Sequence, residues 1–249
     1  MFSLTANIRN EMHKWWLHRK TKWFLLAIVL LPVGFAWLIA NVQVSMGISA
    51  IIGTDFPLIM LGLLTTILLP LYLFMTAADS FSGESAARTM KIVLVRPITR
   101  SKIFASKVIS LIVIAIITLA GGWLASLLSG LFLENSWSLS GIWDGAAAYM
   151  VALVPMAVVA IFAALVAQWF QSSTTAIILC IAIYGALKLL PYLLPQASVW
   201  SPFAYTDWYS MWLGNGVSFM KLFSVFVFLL SCSIIVYMAG LLQFARRQY

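Results

Sequence analysis

The chain has 249 residues, of which 63% are hydrophobic and 9% charged, with a formal net charge of +8. A soluble domain carries about 25% charged residues, so the polar surface needed to cover a water-soluble globule is missing and the apolar excess must face lipid. The basic excess would raise nucleic acid as a partner in a soluble protein, but here it is confined to short stretches between apolar runs, where the retention of basic loops on the cytoplasmic side accounts for it without nucleic acid.

In chain order, residues 1–22 come first. Leu4, Ile8, Met12, Trp15 and Trp16 fall on one side at helical spacing, while Arg9, His13, Lys14 and Lys20 lie mostly elsewhere. This pattern predicts a cytoplasmic amphipathic helix in the inner interface, with tryptophan at headgroup level and basic groups toward anionic lipid. The remainder, 23–249, reads as a single all-α transmembrane domain. Six runs reach the roughly 20 apolar residues that a span needs: Trp23–Val42, Pro57–Ala77, Ile103–Leu128, Ala146–Ala167, Thr175–Leu194 and Leu222–Leu242. The first is not read as a cleaved signal peptide, because its basic flank is long and no small-x-small site follows it.

Loop charge orients these spans. Arg9, Lys14, Arg19, Lys20 and Lys22 precede span one. Arg88, Lys91, Arg96, Arg100, Lys102 and Lys107 follow span two, and Arg246 and Arg247 end the chain. Only Lys188 and Lys221 belong to the opposite side. The bias predicts that both termini are cytoplasmic. Trp137 and Trp143, then Trp200, Phe203, Tyr205, Trp208, Tyr209 and Trp212, mark the outer side as an aromatic belt. Residues 196–216 are too apolar for a solvated loop, and Pro202 and Gly214 break them too often for a span. A short re-entrant or interfacial hairpin before span six fits them better.

Several chemistries are missing. There is no P-loop and no H-E-x-x-H, and the two histidines, His13 and His18, both lie in the basic flank. Cys180 and Cys232 sit in apolar spans and make neither a disulfide framework nor a metal cluster. No catalytic, cofactor or metal site is therefore expected in this chain. The seven carboxylates all fall outside the depth of the predicted spans, which argues against coupling to protons through a buried acid. Lys188, near the outer end of span five, is the single candidate charge at membrane depth. It either snorkels to the interface or contacts an anionic substrate or lipid. The small and hydroxylated residues of the spans, Gly121 and Gly122 among them, permit close helix packing.

Energy for transport must then enter elsewhere, and the stretch Asp79–Lys107 is the candidate. Glu84 to Val95 can form a short amphipathic helix, Pro97 ends it, and Thr99 can cap a helix running into span three. This loop resembles that of the permease (transmembrane) subunits of ABC transporters of the type-2 exporter family (ABC-2 type). There it reads, loosely, Glu-x-x-x-Gly-Thr-x-x-x-Leu-x-x-x-Pro-x-x-Arg-x-x-x-x-x-x-Lys. Glu84, Thr89, Leu94 (displaced by one position), Pro97, Arg100 and Lys107 match, and Arg88 departs where the family often has glycine. The six spans, the interfacial helix and the hairpin extend the resemblance over most of the chain.

The resemblance implies that the element after span two is a coupling helix seated on a separate ATP-binding subunit, which holds the ATP and magnesium. Glu84, Arg88, Thr89, Lys91, Leu94, Arg96, Pro97, Arg100 and Lys107 are the candidate coupling residues, with charge pairs across the interface setting docking geometry. The implied assembly has two ATPase subunits and a second permease copy or a related permease, in contact with membrane lipid. The implied cargo is amphipathic: drug-like, peptide or lipid-like. Two other classes fit the composition: a nucleotide-independent channel or secondary carrier, and a membrane scaffold or immunity protein that binds a peptide or lipid. Plain anchoring of the basic loop on anionic lipid is the simpler reading of its charge.

Overall fold

The computed structural model describes residues 4–46, 56–87, 99–130, 132–133, 139–193, 200–213 and 217–246. Most of these are helical, and no strand is among them. Among the described residues six helices are long and apolar enough to cross a membrane: Arg19–Asn41, Phe56–Ala86, Arg100–Gly130, Gly141–Ala167, Ser173–Pro191 and Phe219–Arg246. They correspond one to one with the six expected spans. A separate N-terminal helix, Leu4–Leu17, precedes them.

Contacts between span ends define an up-and-down bundle. Arg100, opening span three, donates to the carbonyl of Ala245 at the end of span six. Ser82, near the end of span two, donates to Ala167 at the end of span four. Ser173, opening span five, donates to Ala78 of span two. Lys20, opening span one, pairs with Asp79. Both termini of the described chain thus lie at one end of the bundle, which also carries Lys14, Lys20, Arg100, Lys107 and Arg246 and is called the basic end below.

The core belongs to spans two, three and four. Span four is rich in alanine, and Ala152, Ala160, Ala163, Ala164 and Ala167 are fully buried. Small side chains let neighbouring backbones approach closely, which is how helices gain packing energy where lipid removes the hydrophobic incentive. Gly122 of span three works in the same way: a Cβ there would stand 2.8 Å from Leu64, whereas Gly121 faces open space. Spans one, five and six keep broad apolar faces outward, with Trp23, Trp37, Ile178, Phe223 and Ile235 among the exposed side chains.

Span two is longer than its hydropathy predicts. The expected run stops at Ala77 because Asp79 follows, yet the helix continues to Ala86. Lys20 neutralises Asp79, and Ser82 finds a carbonyl partner on span four, so the polar turn costs little when added to the helix. Two π-helical stretches interrupt it, Leu64–Leu68 and Asp79–Gly83. The first has a local cause. Pro70 lacks the N–H that would serve the carbonyl of Thr66 four residues earlier, and the Tyr184 hydroxyl donates to that carbonyl instead, at 2.9 Å. Span four breaks at Ala152 for a like reason, since Pro155 denies a donor to the carbonyl of Val151. The second stretch rotates the last turn of span two and points Glu84 into the protein.

The helical boundary expected at Glu84 is therefore absent: Glu84–Ala86 is the terminal turn of span two, not the start of an independent helix. Thr99 does stand immediately before span three, where its carbonyl accepts from the Ile103 N–H at 3.2 Å and its hydroxyl accepts from Ser101. Before span six, the 3-10 turn Pro202–Tyr205 and the short helix Tyr209–Leu213 pack on the bundle, with Phe203, Thr206 and Trp208 buried.

Candidate functional site

The N-terminal helix lies against span three with an unexpected face. Asn7, Glu11 and Trp15, four residues apart, are its buried residues. The apolar stripe formed by Leu4, Ile8 and Met12 is only half-buried, and Trp16 is exposed. The stripe expected to meet lipid thus remains available for it, while the inward face is polar. Asn7 donates to Ser106 of span three at 2.6 Å. Trp15 donates its indole N–H to the Tyr72 hydroxyl, which donates in turn to Thr21 at 3.1 Å, and Thr21 closes the loop on the Trp15 carbonyl at 2.8 Å.

Next to this network, four charges from three elements form a closed ring of alternating sign. Lys14 Nζ is 3.0 Å from Glu11 Oε1 and 3.0 Å from Glu84 Oε1. Lys107 Nζ is 2.9 Å from Glu84 Oε2 and 3.5 Å from Glu11 Oε2. Both carboxylates use both oxygens, and the ring is neutral overall. Lys107 is wholly buried; it also donates to the Ser80 carbonyl at 2.9 Å and lies 5.6 Å from the centre of the Phe81 ring. A buried charge survives only with partners on all sides, and Lys107 has them. Burial acts to lower the pKa of the Lys14 ammonium, but the neighbouring Glu11 and Glu84 carboxylates outweigh it and hold the pKa above its ordinary value. The ring fastens the N-terminal helix, the end of span two and the start of span three to one another.

A cleft of about 640 Å³ opens beside the ring, bounded by the N-terminal helix, the start of span one, the end of span two and the first half of span three. Its charged residues are Glu11, Lys14, Lys20, Asp79, Glu84 and Lys107, and its aromatic and apolar walls include Trp15, Tyr72, Met75, Leu111 and Ile114.

At the far end of the bundle a second polar group surrounds Lys188. Its ammonium meets the Thr206 hydroxyl and Asp207 at 3.4 Å, and Asp207 also accepts from Thr66 of span two at 3.2 Å. Lys188 is therefore engaged by the segment before span six. Thr66 is the eleventh residue of span two, about 15 Å along that helix at 1.5 Å per residue, so this segment carries a carboxylate well down the side of the bundle. Burial and the Asp207 charge push the Tyr209 phenol up to about 12.

Of the candidate coupling residues, the structure brings Glu84 and Lys107 together and directs Arg100 to the end of span six. Arg88, Thr89, Lys91, Leu94, Arg96 and Pro97 lie outside the described residues. Glu84 is turned inward onto two lysines rather than outward. Sequence reasoning missed Glu11 and Lys14 as its partners. The available signal was the i, i+4, i+8 spacing of Asn7, Glu11 and Trp15, which interrupts an otherwise basic segment with one acid on a defined face.

No curated protein matches the chain in direct sequence comparison. A family model described as ABC-2 family transporter protein matches residues 7–188, from the N-terminal helix into span five, including the whole charged ring. With six membrane-crossing helices and this match over most of its length, the chain belongs to the ABC-2 family of membrane transporter proteins, as a multi-pass transmembrane permease of an ABC transporter.

Proposed function

We propose that the chain is the permease subunit of an ATP-driven exporter, powered by separate ATP-binding subunits docked at the basic end, which faces the cytoplasm. Two permease copies, identical or related, would complete the pathway. The supporting observation is the ring. Segment 88–98 begins one residue beyond the last turn of span two, and that turn is bound through Glu84 to Lys107 of span three and Lys14 of the N-terminal helix. A push on the segment is thus delivered to two spans and the interfacial helix together, because the Glu84–Lys107 pair, buried at 2.9 Å, resists separation and Lys14 joins the same carboxylate at 3.0 Å. In this reading Arg88, Lys91 and Arg96 face the ATPase, while Glu84 and Lys107 transmit the push. The cargo is an amphipathic molecule of drug-like, peptide or lipid-like kind, consistent with core spans that offer hydroxyls and small residues and little charge.

The test is co-expression with a P-loop ATPase encoded beside the permease gene, followed by co-purification and reconstitution into liposomes. The expected result is a stable complex whose ATP hydrolysis drives uptake of an amphipathic dye. Substituting Arg88, Lys91 and Arg96 together by Glu should dissociate the ATPase without unfolding the permease. A permease that never co-purifies with an ATPase, or that conducts ions alone in planar bilayers, would overturn the proposal in favour of a nucleotide-independent channel.

A further inference from the structure

We infer that the cleft at the basic end binds the anionic head of a single amphiphile, with the acyl or alkyl part lying along span three. The first ground is the polarity of its ion pairs. In every pair at the cleft mouth the lysine is the more exposed partner: Lys14 is 40% exposed against 6% for Glu11 and 14% for Glu84, and Lys20 is 55% exposed against 26% for Asp79. The carboxylates are spent inward, and Lys107, wholly buried, balances them from behind. A neutral cluster therefore presents positive charge to whatever enters, and His18 is exposed at the same mouth.

The second ground is depth and shape. The ring lies where spans one, two and three begin or end, at the level that lipid headgroups occupy beside a bilayer core about 30 Å thick. From there the cleft is continued by Met75, Leu111 and Ile114, with Trp15 and Tyr72 as its flat aromatic wall. A volume of about 640 Å³ falls within the range of small-molecule sites, roughly 300–1,000 Å³. That space takes a phosphate-bearing head and the first part of one chain, not a whole two-chain lipid. Lys14 and Lys20 would share the head, which keeps them on their own carboxylates while adding a third acceptor to Lys14 and a second to Lys20, as a three-donor ammonium allows. This binding requires no ATPase and is independent of the export reading.

The head chemistry is common to a resident membrane lipid and to a single-chain anionic cargo, and the experiment separates them. The full chain in neutral detergent is titrated with palmitoyl-oleoyl phosphatidylglycerol, with phosphatidylcholine of the same chains, with dodecyl phosphate and with inorganic phosphate, and bound copies are counted by native mass spectrometry. The expected result is one saturable copy of phosphatidylglycerol or dodecyl phosphate, at least five-fold tighter than phosphatidylcholine. Tight phosphatidylglycerol with weak dodecyl phosphate assigns the site to lipid; the converse assigns it to single-chain cargo. Lys20→Gln, which removes the exposed member of a pair, and Ala87→Trp, which fills the mouth from an exposed position, should each weaken binding five-fold or more. Lys22→Gln carries the same charge change on an exposed residue two positions away, outside the cleft lining, and should change it less than two-fold. Phosphatidylglycerol and dodecyl phosphate both binding no tighter than phosphatidylcholine, full competition by inorganic phosphate alone, or equal losses in Lys20→Gln and Lys22→Gln would overturn the inference.

Discussion

Replacing Lys107 by methionine tests the ring most directly. The substitution keeps most of the apolar stem and removes the ammonium, with its charge, its hydrogen bond and its place 5.6 Å from the centre of the Phe81 ring. Glu84 then loses its 2.9 Å partner, Glu11 its 3.5 Å partner and the Ser80 carbonyl its 2.9 Å donor. Lys14 alone remains to neutralise two carboxylates. Breaking a buried pair by deleting one partner costs about 3–5 kcal/mol, because the other charge is left uncompensated. For a chain of this size 1 kcal/mol corresponds to roughly 2–4 °C, so the melting temperature of the detergent-solubilised protein should fall by on the order of 10 °C. Fluorescence-detected size-exclusion chromatography after heating reads this. Glu84→Gln in the same background should restore part of the loss, since the glutamine leaves no stranded charge, and the double-mutant cycle should give a coupling of at least about 1 kcal/mol. A methionine variant that melts within 2 °C of the parent, or a double mutant whose losses simply add, would show that the four charges do not act as one ring.

Three further outcomes follow from other contacts. Gly122→Leu should destabilise by about 1–3 kcal/mol through overpacking against Leu64 and Tyr149, while Gly121→Leu, which meets open space, should leave the melting temperature nearly unchanged. Tyr184→Phe strips the donor from the Thr66 carbonyl and should cost about 1 kcal/mol; in a Pro70→Ala background, where the backbone regains its own donor, that cost should vanish. The Lys14 pKa is raised above 10.5 by Glu11 and Glu84, so its contribution is complete below pH 10.5 and is lost only as pH climbs through the higher folded value. The melting-temperature gap between the parent and Lys14→Met should therefore be flat from pH 7 to 9.5 and close only above pH 10.5; a gap that closes below pH 9 would place the charge elsewhere.

Six spans were legible in the sequence, because hydropathy is a local property that sums along a run of neighbours. The kinks also had local signals: Pro70 in span two and Pro155 in span four each deprive one carbonyl of its donor. The end of span two was not legible. Asp79 reads as a stop to any local count, and only Lys20, from 59 residues earlier in the chain, makes it admissible within the helix. The same limit hid the ring. Glu84 reads as an exposed member of a docking element until the π-helical turn at Asp79–Gly83 aims it inward, and its partners stand 70 residues before it on the N-terminal helix and 23 residues after it on span three. Lys188 was singled out as the one charge at membrane depth, but that Asp207 and Thr206 would meet it depended on how the segment before span six packs. Periodicity records which face of a helix is apolar; which charged faces meet is decided by bundle packing, and burial makes that decision consequential, since charges removed from water must find one another.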